Sequence, residues 1–433
     1  MRAVDIIEKK KQGYAHTKEE IDFFIKGYME GGIEDYQMSS WLMAVYFQGL
    51  NFDETAYLTE SFINSGEKLD FSHFNTHIAD KHSTGGVGDK VTLVLIPVLA
   101  SLGIACAKLS GRGLGMTGGT IDKLESIKGF NCALTEDAFK EQIKNINAAI
   151  SSQTPNLVPA DGKIYALRDV TSTVDNMSLI CASVVSKKIA SGADIVVLDV
   201  KYGSGAFIKT KEDARILADL MIDVGERLGR KFDAVISAME QPLGNCVGNS
   251  LEVIEAIEFL KGKMAPDLYE ITLELAARTL ILSNLVSDFD MAKNYIDEAI
   301  NSGRALSKLS EIIEAQGGDN NVINDYSLFE IGKNTYEIKA QASGYIQRLD
   351  ALNIAHACKL LGAGRDKKSD KIDFGAGCIL NKKQGDKAAY GETLAVLYYN
   401  NVNPQRLKEA IKYFEEAYTI SIESVEKECV VAR

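Results

Sequence analysis

The spacing of apolar residues predicts that the chain begins with helices. Thr17 and Glu20 have the spacing of a capping box, and apolar residues between Ile21 and Tyr28 then recur every three or four positions. A second repeat of this kind ends before Gly49, and a third helix is predicted from about Asp53 to Gly66. No strand is predicted in the first seventy residues.

After residue 80, short apolar runs alternate with amphipathic stretches. Three runs are predicted to be strands, and each is followed by a helical pattern: Ile104–Leu109, Ile195–Val200 and Ala234–Met239. Strands that alternate with helices are typical of a mostly parallel sheet with crossover helices. The segment from Asp161 to Lys188 is helical again and poor in strand signals. We therefore expect it to rejoin the first helical block.

From about Asn334 the pattern changes to alternating apolar and polar residues with frequent glycines. The whole chain is thus predicted to be α/β plus all-α, in three parts. These are a discontinuous small helical domain (1–68 and 160–191), a larger α/β domain with a mostly parallel central sheet (69–159 and 192–333), and a C-terminal α+β module (334–433).

Charge and cysteine usage restrict the classes of function. Lys and Arg number 48 against 60 Asp and Glu, which gives a net charge of −12 and argues against nucleic-acid or anionic-membrane binding. No apolar run has the length and continuity of a membrane span, and the amino terminus does not resemble a secretory signal. The seven cysteines are scattered and never spaced as CxxC, which favours reduced thiols in the cytoplasm over disulfides or a zinc site.

Two glycine-rich segments carry the clearest chemical signal. Lys81–Asp89 and Ser110–Thr120 combine glycine, hydroxyl groups and a cation, and each adjoins a predicted helix. The window 81–128 has three more basic than acidic residues, although the protein as a whole is acidic. Glycine lets backbone N–H groups approach an oxyanion, and a helix N-terminus adds partial positive charge. These features predict phosphate binding, with ordinary tight turns as the alternative.

A helix face in the second helical segment carries a further candidate site. Ile180, Ser183, Val184 and Lys187 stand at positions i, i+3, i+4 and i+7 of one helix, so Ser183 and Lys187 are predicted to project side by side. The alternative is a solvated helix edge, since another lysine follows. Arg168, upstream in the same segment, has the same two interpretations.

These residues lie within motifs that resemble a known family. The stretches are SGRGLGMTGGTIDKLE at 110–125, KHSTGGVGD at 81–89, RDVTSTVD at 168–175 and PLGNCVGNSLEVIE at 242–255, together with the helix around Ser183 and Lys187. In them, and nearly end to end, the chain resembles the pyrimidine-nucleoside phosphorylases of the thymidine phosphorylase family.

The resemblance implies a reaction and a set of site residues. The family cleaves the N-glycosidic bond of a pyrimidine nucleoside with inorganic phosphate, giving free base and an α-sugar 1-phosphate, with no organic cofactor. By position, phosphate is expected to meet Lys81, Ser83, Thr92, Lys108, Ser110 and Thr120. The catalytic residues on the pyrimidine side are expected to be His82 toward O2, Arg168 and Lys187 toward O4, and Ser183 toward N3. The pocket is expected to include Leu114, Val174, Ile180 and Phe207.

The resemblance also implies an assembly. The family closes its two larger domains over the substrates and forms homodimers through the helical domain. The C-terminal module resembles the sheets of biotinyl and lipoyl domains. Uridine, deoxyuridine and thymidine are all candidate nucleosides, and pyrimidine salvage is the expected role.

Two positions depart from the family pattern. Met116 replaces a histidine that is usual in the family's version of the motif at 110–125. Lys90 stands where threonine is common in relatives. Relatives bind a monovalent cation at this second position, which predicts a potassium site formed, mostly through backbone oxygens, by Gly88, Lys90, Leu243, Cys246 and Glu255. A lysine at position 90 either leaves room for the ion or takes its place.

Two other functions share part of this sequence pattern. An anthranilate phosphoribosyltransferase resembles this superfamily in architecture and glycine-rich loops, but it would need Mg²⁺ and a diphosphate. A non-catalytic lipoyl carrier is suggested only by Gly385-Asp386-Lys387-Ala388. In that class the modified lysine lies at a later hairpin tip, which here would be near 400–403 and has no lysine.

Overall fold

The computed structural model describes residues 1–113, 118–365, 367 and 370–432. The chain begins with helices α1 (Ala3–Lys11), α2 (Lys18–Met29), α3 (Asp35–Gln48) and α4 (Phe52–Asn64). The predicted capping box is formed: Thr17 accepts a hydrogen bond from the Glu20 N–H, and the Glu20 carboxylate accepts one from the Thr17 N–H. The rings of Phe24 and Trp41 lie 5.3 Å apart in the core of these helices. The prediction of a helical beginning is confirmed.

The middle of the chain alternates strands and helices, as predicted. The elements are β1 (Ile78–Ser83), α5 (Val91–Ser101), β2 (Ala105–Ser110), α6 (Thr120–Glu125), α7 (Glu136–Ile146), β3 (Ala148–Ser152), α8 (Pro159–Thr171), α9 (Met177–Ala190), β4 (Ile195–Tyr202), α10 (Lys211–Arg227) and β5 (Lys231–Ala238). The three predicted strands correspond to β2, β4 and β5, and the helical segment 161–188 corresponds to α8 and α9.

A five-stranded sheet has the order β3-β2-β1-β4-β5. Strands β2 and β3 are parallel, with Cys106 opposite Ala148. The sequence pattern missed β1 and β3. Strand β1 reads IADKHS, and its polar Asp80 and Lys81 are buried, so no apolar run marks it. Strand β3 reads AAISS and is rich in small residues that have little β-propensity.

Helices α11 (Asn249–Leu260), α12 (Pro266–Leu282), α13 (Phe289–Asn301) and α14 (Arg304–Ala315) follow a short strand β6 (Cys246–Val247). Helix α5 is apolar on all sides, with a run of ten buried residues, and it packs against α11, α12 and α14. A helix that is apolar all round is expected in the interior of a large protein, not on its surface.

The remaining residues form the predicted α+β module. Its elements are β7 (Asn334–Lys339), β8 (Gly344–Leu349), α15 (Ala351–Leu361), β9 (Gly377–Leu380), β10 (Lys387–Ala388), β11 (Thr393–Tyr399), α16 (Pro404–Ala417) and β12 (Tyr418–Ser421). Together with β6, they make two antiparallel sheets, β6-β9-β11-β7 and β10-β8-β12. Lys387 lies within β10, opposite Tyr345 of β8, and not at a hairpin tip.

By its internal contacts the chain divides into two compact units. Unit 1 comprises Met1–His82, Gln153–Leu198 and Arg215–Ala234, and unit 2 comprises Ser83–Ser152, Asp199–Ala214 and Val235–Arg433. The domain boundaries drawn from the sequence stay a prediction. Within the described residues, every helix is too short or too polar to cross a lipid bilayer.

Candidate active site

Both glycine-rich segments run from the end of a strand to the start of a helix. The first leaves β1 at Ser83 and leads into α5, whose first turn contains Thr92. The second leaves β2 at Ser110 and leads into α6, which begins at Thr120. Strands β1 and β2 are neighbours in the sheet. Backbone N–H groups at the start of a helix such as α5 attract anions, so this arrangement suits phosphate binding.

The structure corrects the position of the first three predicted contacts. Lys81, His82 and Ser83 lie in strand β1, whereas the sequence pattern assigned them to a loop. Ser83 accepts a hydrogen bond from the Gly85 N–H at 3.3 Å, which turns the chain away from the strand. Lys81 is buried, and so is Lys108 of β2, whose ammonium donates to the Leu109 carbonyl at 3.3 Å. Both cations are therefore held on strands and not on flexible loops.

The first glycine-rich segment rests on a buried ion pair that sequence reasoning missed. The Lys201 ammonium lies 2.9 Å from the Asp199 carboxylate, and both side chains are fully buried. The Thr84 N–H donates to the Asp199 carbonyl, and the Thr84 hydroxyl accepts from the Lys201 N–H. A Cβ at Gly86 would lie 2.7 Å from Met239 Cε and 2.9 Å from Lys201 Cδ, so only glycine fits here without a shift.

The charge of Lys201 is retained in spite of its burial. Burial alone lowers the pKa of a lysine, but the attraction of Asp199 and Asp89 outweighs it and raises the pKa of Lys201 above its usual value. The only sequence signal for this pair was two charged residues within an otherwise apolar strand.

The carboxylate of Asp122 holds the second glycine-rich segment at Gly113. This buried carboxylate accepts from the Gly113 N–H at 2.6 Å and from the Arg365 guanidinium at 2.8 Å. Arg365 also donates to the Gly113 carbonyl at 3.3 Å, so a residue of the C-terminal module supports this segment. A Cβ on Gly119 would lie 2.1 Å from the Gly113 nitrogen. The two ends of the loop thus approach each other too closely for any side chain at position 119.

Ser183 and Lys187 lie side by side on α9, as predicted. The Lys187 ammonium donates to the Ser183 hydroxyl at 2.8 Å and forms an ion pair with Asp161 of α8. Asp161 is 1% exposed, and sequence reasoning missed it because only burial distinguishes it from a surface aspartate. The alternative of a solvated helix edge is wrong, since Ser183 is 5% exposed and Lys188 is buried against Asp80.

Arg168 is also buried, at 1% exposure. Its guanidinium donates to the Thr173 carbonyl at 3.1 Å, to Leu179 at 3.2 Å and to Val174 at 2.6 Å. Burial lowers the pKa of Arg168, while Asp161 is the main charge that opposes this. In the described residues these bonds use three of its five N–H groups, so two donors are left for a ligand.

The predicted pocket residues have different environments. Val174 and Ile180 belong to unit 1 and are half-buried. Phe207 belongs to unit 2 and is 61% exposed. Leu114, like Met116, lies outside the described residues. The contribution of all four predicted pocket residues stays a prediction.

The five residues of the predicted potassium site do lie together, in unit 2. The Lys90 ammonium, however, occupies the centre: it donates to the Leu243 carbonyl at 2.7 Å, the Cys246 carbonyl at 2.8 Å and the Glu255 carboxylate at 2.6 Å. A Cβ on Gly88 would lie 2.6 Å from the Leu243 oxygen. These oxygens suit a monovalent cation, but a potassium ion does not fit among them while the ammonium is there.

Comparison with known proteins identifies the family. The family model "Glycosyl transferase family, a/b domain" matches residues 75–306, and the corresponding helical bundle domain matches residues 4–66. The chain is 49% identical to the pyrimidine-nucleoside phosphorylase of Staphylococcus haemolyticus over 98% of this chain and 97% of that protein. It belongs to the pyrimidine-nucleoside phosphorylase family. The enzyme of Staphylococcus aureus N315 is 48% identical over 97% of this chain and 96% of its own length.

The remaining comparisons agree with this assignment to the pyrimidine-nucleoside phosphorylase family. The model "Pyrimidine nucleoside phosphorylase C-terminal domain" matches residues 345–421. The crystal structure of anthranilate phosphoribosyltransferase from Thermus thermophilus covers 72% of this chain and 99% of its own, with a TM-score of 0.60 and 19% identity. At that identity the likeness concerns the fold alone. The predicted family and the predicted combination of helical, α/β and C-terminal parts are therefore confirmed.

Proposed function

We propose that this protein catalyses the reversible phosphorolysis of pyrimidine nucleosides, giving free base and (2-deoxy)-α-D-ribose 1-phosphate, within pyrimidine salvage. The structural observation that carries the proposal is the pair of glycine-rich segments, each running from a strand with a buried lysine into a helix. The near full-length identity to pyrimidine-nucleoside phosphorylases supports it independently.

Phosphate is the nucleophile in this reaction. One of its oxygens forms a bond to the anomeric carbon of the sugar while the bond from that carbon to N1 of the base breaks. We assign its binding to Lys81, Ser83, Thr92, Lys108, Ser110 and Thr120, whose ammonium and hydroxyl groups can donate to its oxygens. Because phosphate supplies the attacking atom, the protein needs neither a nucleophilic serine or cysteine nor an organic cofactor.

The departing base takes the electron pair of the broken bond, and this charge spreads onto O2 and O4. Donors to those oxygens stabilise the transition state more than the bound nucleoside, which lowers the barrier. We assign His82 to O2, Arg168 and Lys187 to O4, and Ser183 to N3. The bond from Lys187 to Ser183 is compatible with these roles, and so are the two N–H groups of Arg168 that make no hydrogen bond within the described residues.

We further propose that the protein is a cytoplasmic homodimer that associates through its helical part. Helix α3 supports this, because Tyr36, Met43 and Phe47 recur on one face and are 70%, 37% and 76% exposed. Sedimentation of the wild type and of Phe47→Asp tests the assembly. A dimer that dissociates in the variant is expected, and a monomeric wild type would contradict it.

The test of the activity is release of base from uridine, deoxyuridine and thymidine in phosphate buffer with a chelator present. We expect phosphate-dependent release of base without Mg²⁺. The relative rates show which of the three nucleosides is the preferred substrate. Turnover only with anthranilate, a phosphoribosyl diphosphate and Mg²⁺ would instead assign the transferase function. Intact mass of the purified protein checks the carrier alternative, for which a lipoyl adduct on Lys387 is required.

A further inference from the structure

Lys90 lies at a position that is energetically unfavourable for a positively charged side chain. Lys90 caps the N-terminus of α5, where the helix dipole repels positive charge, and its side chain is fully buried. Moving an ammonium group out of water is unfavourable unless other groups compensate for the lost hydration. A lysine at this position therefore needs a dedicated set of oxygen atoms.

The surrounding oxygens provide full compensation. An ammonium group has three N–H donors, and the three acceptors of Lys90 are the Leu243 carbonyl, the Cys246 carbonyl and the Glu255 carboxylate. Their distances of 2.6 to 2.8 Å are those of strong charge-assisted bonds. Burial alone lowers the pKa of Lys90, but Glu255 and Glu252 outweigh it, so the pKa is raised above its usual value. Three acceptors, one of them a carboxylate, are the partners that a charged ammonium group requires.

Glu255 and the turn 242–246 are also held by contacts that do not involve Lys90. Glu255 of α11 also accepts from the Asn245 N–H at 2.6 Å and from the Cys246 N–H at 2.9 Å. A second cation binds the turn formed by residues 242–246. The Lys383 ammonium donates to the Pro242 carbonyl at 2.8 Å and to the Gly244 carbonyl at 3.0 Å. The turn 242–246 therefore directs its carbonyl groups at two separate positive charges.

The turn packs closely against the Lys90 ammonium. A Cβ on Gly244 would lie 2.8 Å from the Lys90 nitrogen and 2.8 Å from both oxygens of Glu255. Both Gly88 and Gly244 have positive φ angles of 72° and 69°, so the backbone is shaped closely around the ammonium. The cluster holds one cation, and Lys90 supplies it.

We propose that the Lys90 ammonium is a covalently attached monovalent cation that takes the place of a free potassium ion in this protein. It follows that the wild-type protein does not depend on potassium. It also follows that a short neutral side chain at position 90 opens a binding site for potassium among the same three oxygens. This inference does not rest on the proposed reaction, because neither consequence involves turnover.

The first test uses the unmodified protein. Its thermal unfolding midpoint is measured in potassium chloride and in tetramethylammonium chloride at equal ionic strength, since tetramethylammonium is too large for the cluster. We expect the same midpoint in both salts, and no potassium retained after dialysis by atomic absorption. A saturable increase of the midpoint with potassium would overturn the proposal, whatever the variants do.

The second test uses Lys90→Thr, with Lys90→Met as the matched variant that removes the charge but fills the space. Both should unfold at lower temperature in tetramethylammonium chloride, because Glu255 is left buried without its counter-charge. Potassium should raise the midpoint of Lys90→Thr saturably, by several degrees, and leave Lys90→Met unchanged. Equal responses of the two variants to potassium would contradict the proposal. Lys412→Thr, on the exposed face of α16, controls for general salt effects.

Discussion

The ion pair between Lys187 and Asp161 allows the structural and catalytic roles of Lys187 to be separated. Asp161 is 1% exposed, and in the described residues neither of its carboxylate oxygens accepts a well-aligned hydrogen bond. The Lys187 ammonium is therefore its main compensation. Replacing Lys187 by Met leaves this buried carboxylate without its ion-pair partner. Such a loss costs about 3–5 kcal/mol of unfolding free energy, and we expect the lower end because the Lys187 side chain is 23% exposed.

The double variant Lys187→Met/Asp161→Asn removes both charges, so most of this stability should return. Its catalytic activity should not return, because the donor to the leaving base is still absent. Removing one such donor lowers kcat by about 10²–10³-fold, or about 2.7–4 kcal/mol of transition-state stabilisation. We expect both variants to show this loss, and Asp161→Asn alone to show a smaller one through misplacement of Lys187.

Urea unfolding followed by fluorescence is the appropriate stability assay. Trp41 is the single tryptophan of the chain, and it is buried in α3 of unit 1, the unit that also contains Lys187 and Asp161. Uracil release from uridine at saturating phosphate gives kcat. Wild-type activity in Lys187→Met would refute the catalytic role. A double variant as unstable as Lys187→Met would refute the electrostatic account of its stability.

Three further predictions concern other parts of the molecule. Ser110→Ala should raise KM for phosphate by about tenfold with little effect on KM for uridine, since one hydrogen bond to a charged ligand is lost. An equal rise in both constants would contradict phosphate binding by Ser110. Arg365→Ala should also raise KM for phosphate by about tenfold, because Arg365 no longer holds Gly113 and Asp122 in place. The surface variant Lys412→Ala should leave this KM unchanged. Burial lowers the pKa of His16 from its usual 6.5, so this histidine binds a proton more readily in the unfolded chain than in the folded one. The stability of unit 1 should therefore fall as pH decreases below about 6.5. The fluorescence of Trp41 reports this directly, since its indole N–H donates to His16, and His16→Gln should show a flatter pH dependence.

Local pattern was sufficient for most of the fold. Helical periodicity gave α2, α8 and α9, and apolar runs gave β2, β4 and β5, because these elements place apolar side chains at regular intervals. The local sequence pattern did not predict β1, because its Asp80 and Lys81 are polar yet buried. A buried polar strand depends on partners elsewhere in the chain, such as Lys188 for Asp80, and no local pattern contains them.

Residues that lie close along the chain were sufficient to predict the family, the glycine-rich segments and the adjacency of Ser183 to Lys187. The pairing of charges, in contrast, is evident only in the folded chain, because it joins residues that are distant in the sequence. Asp161 with Lys187, Arg365 with Asp122, and Lys90 with Glu255 join residues 26, 243 and 165 positions apart. A motif can show that a lysine stands at position 90, but whether its ammonium faces water or three fixed oxygens depends on the chain folding back on itself. That long-range geometry decides which of these buried charges has a partner.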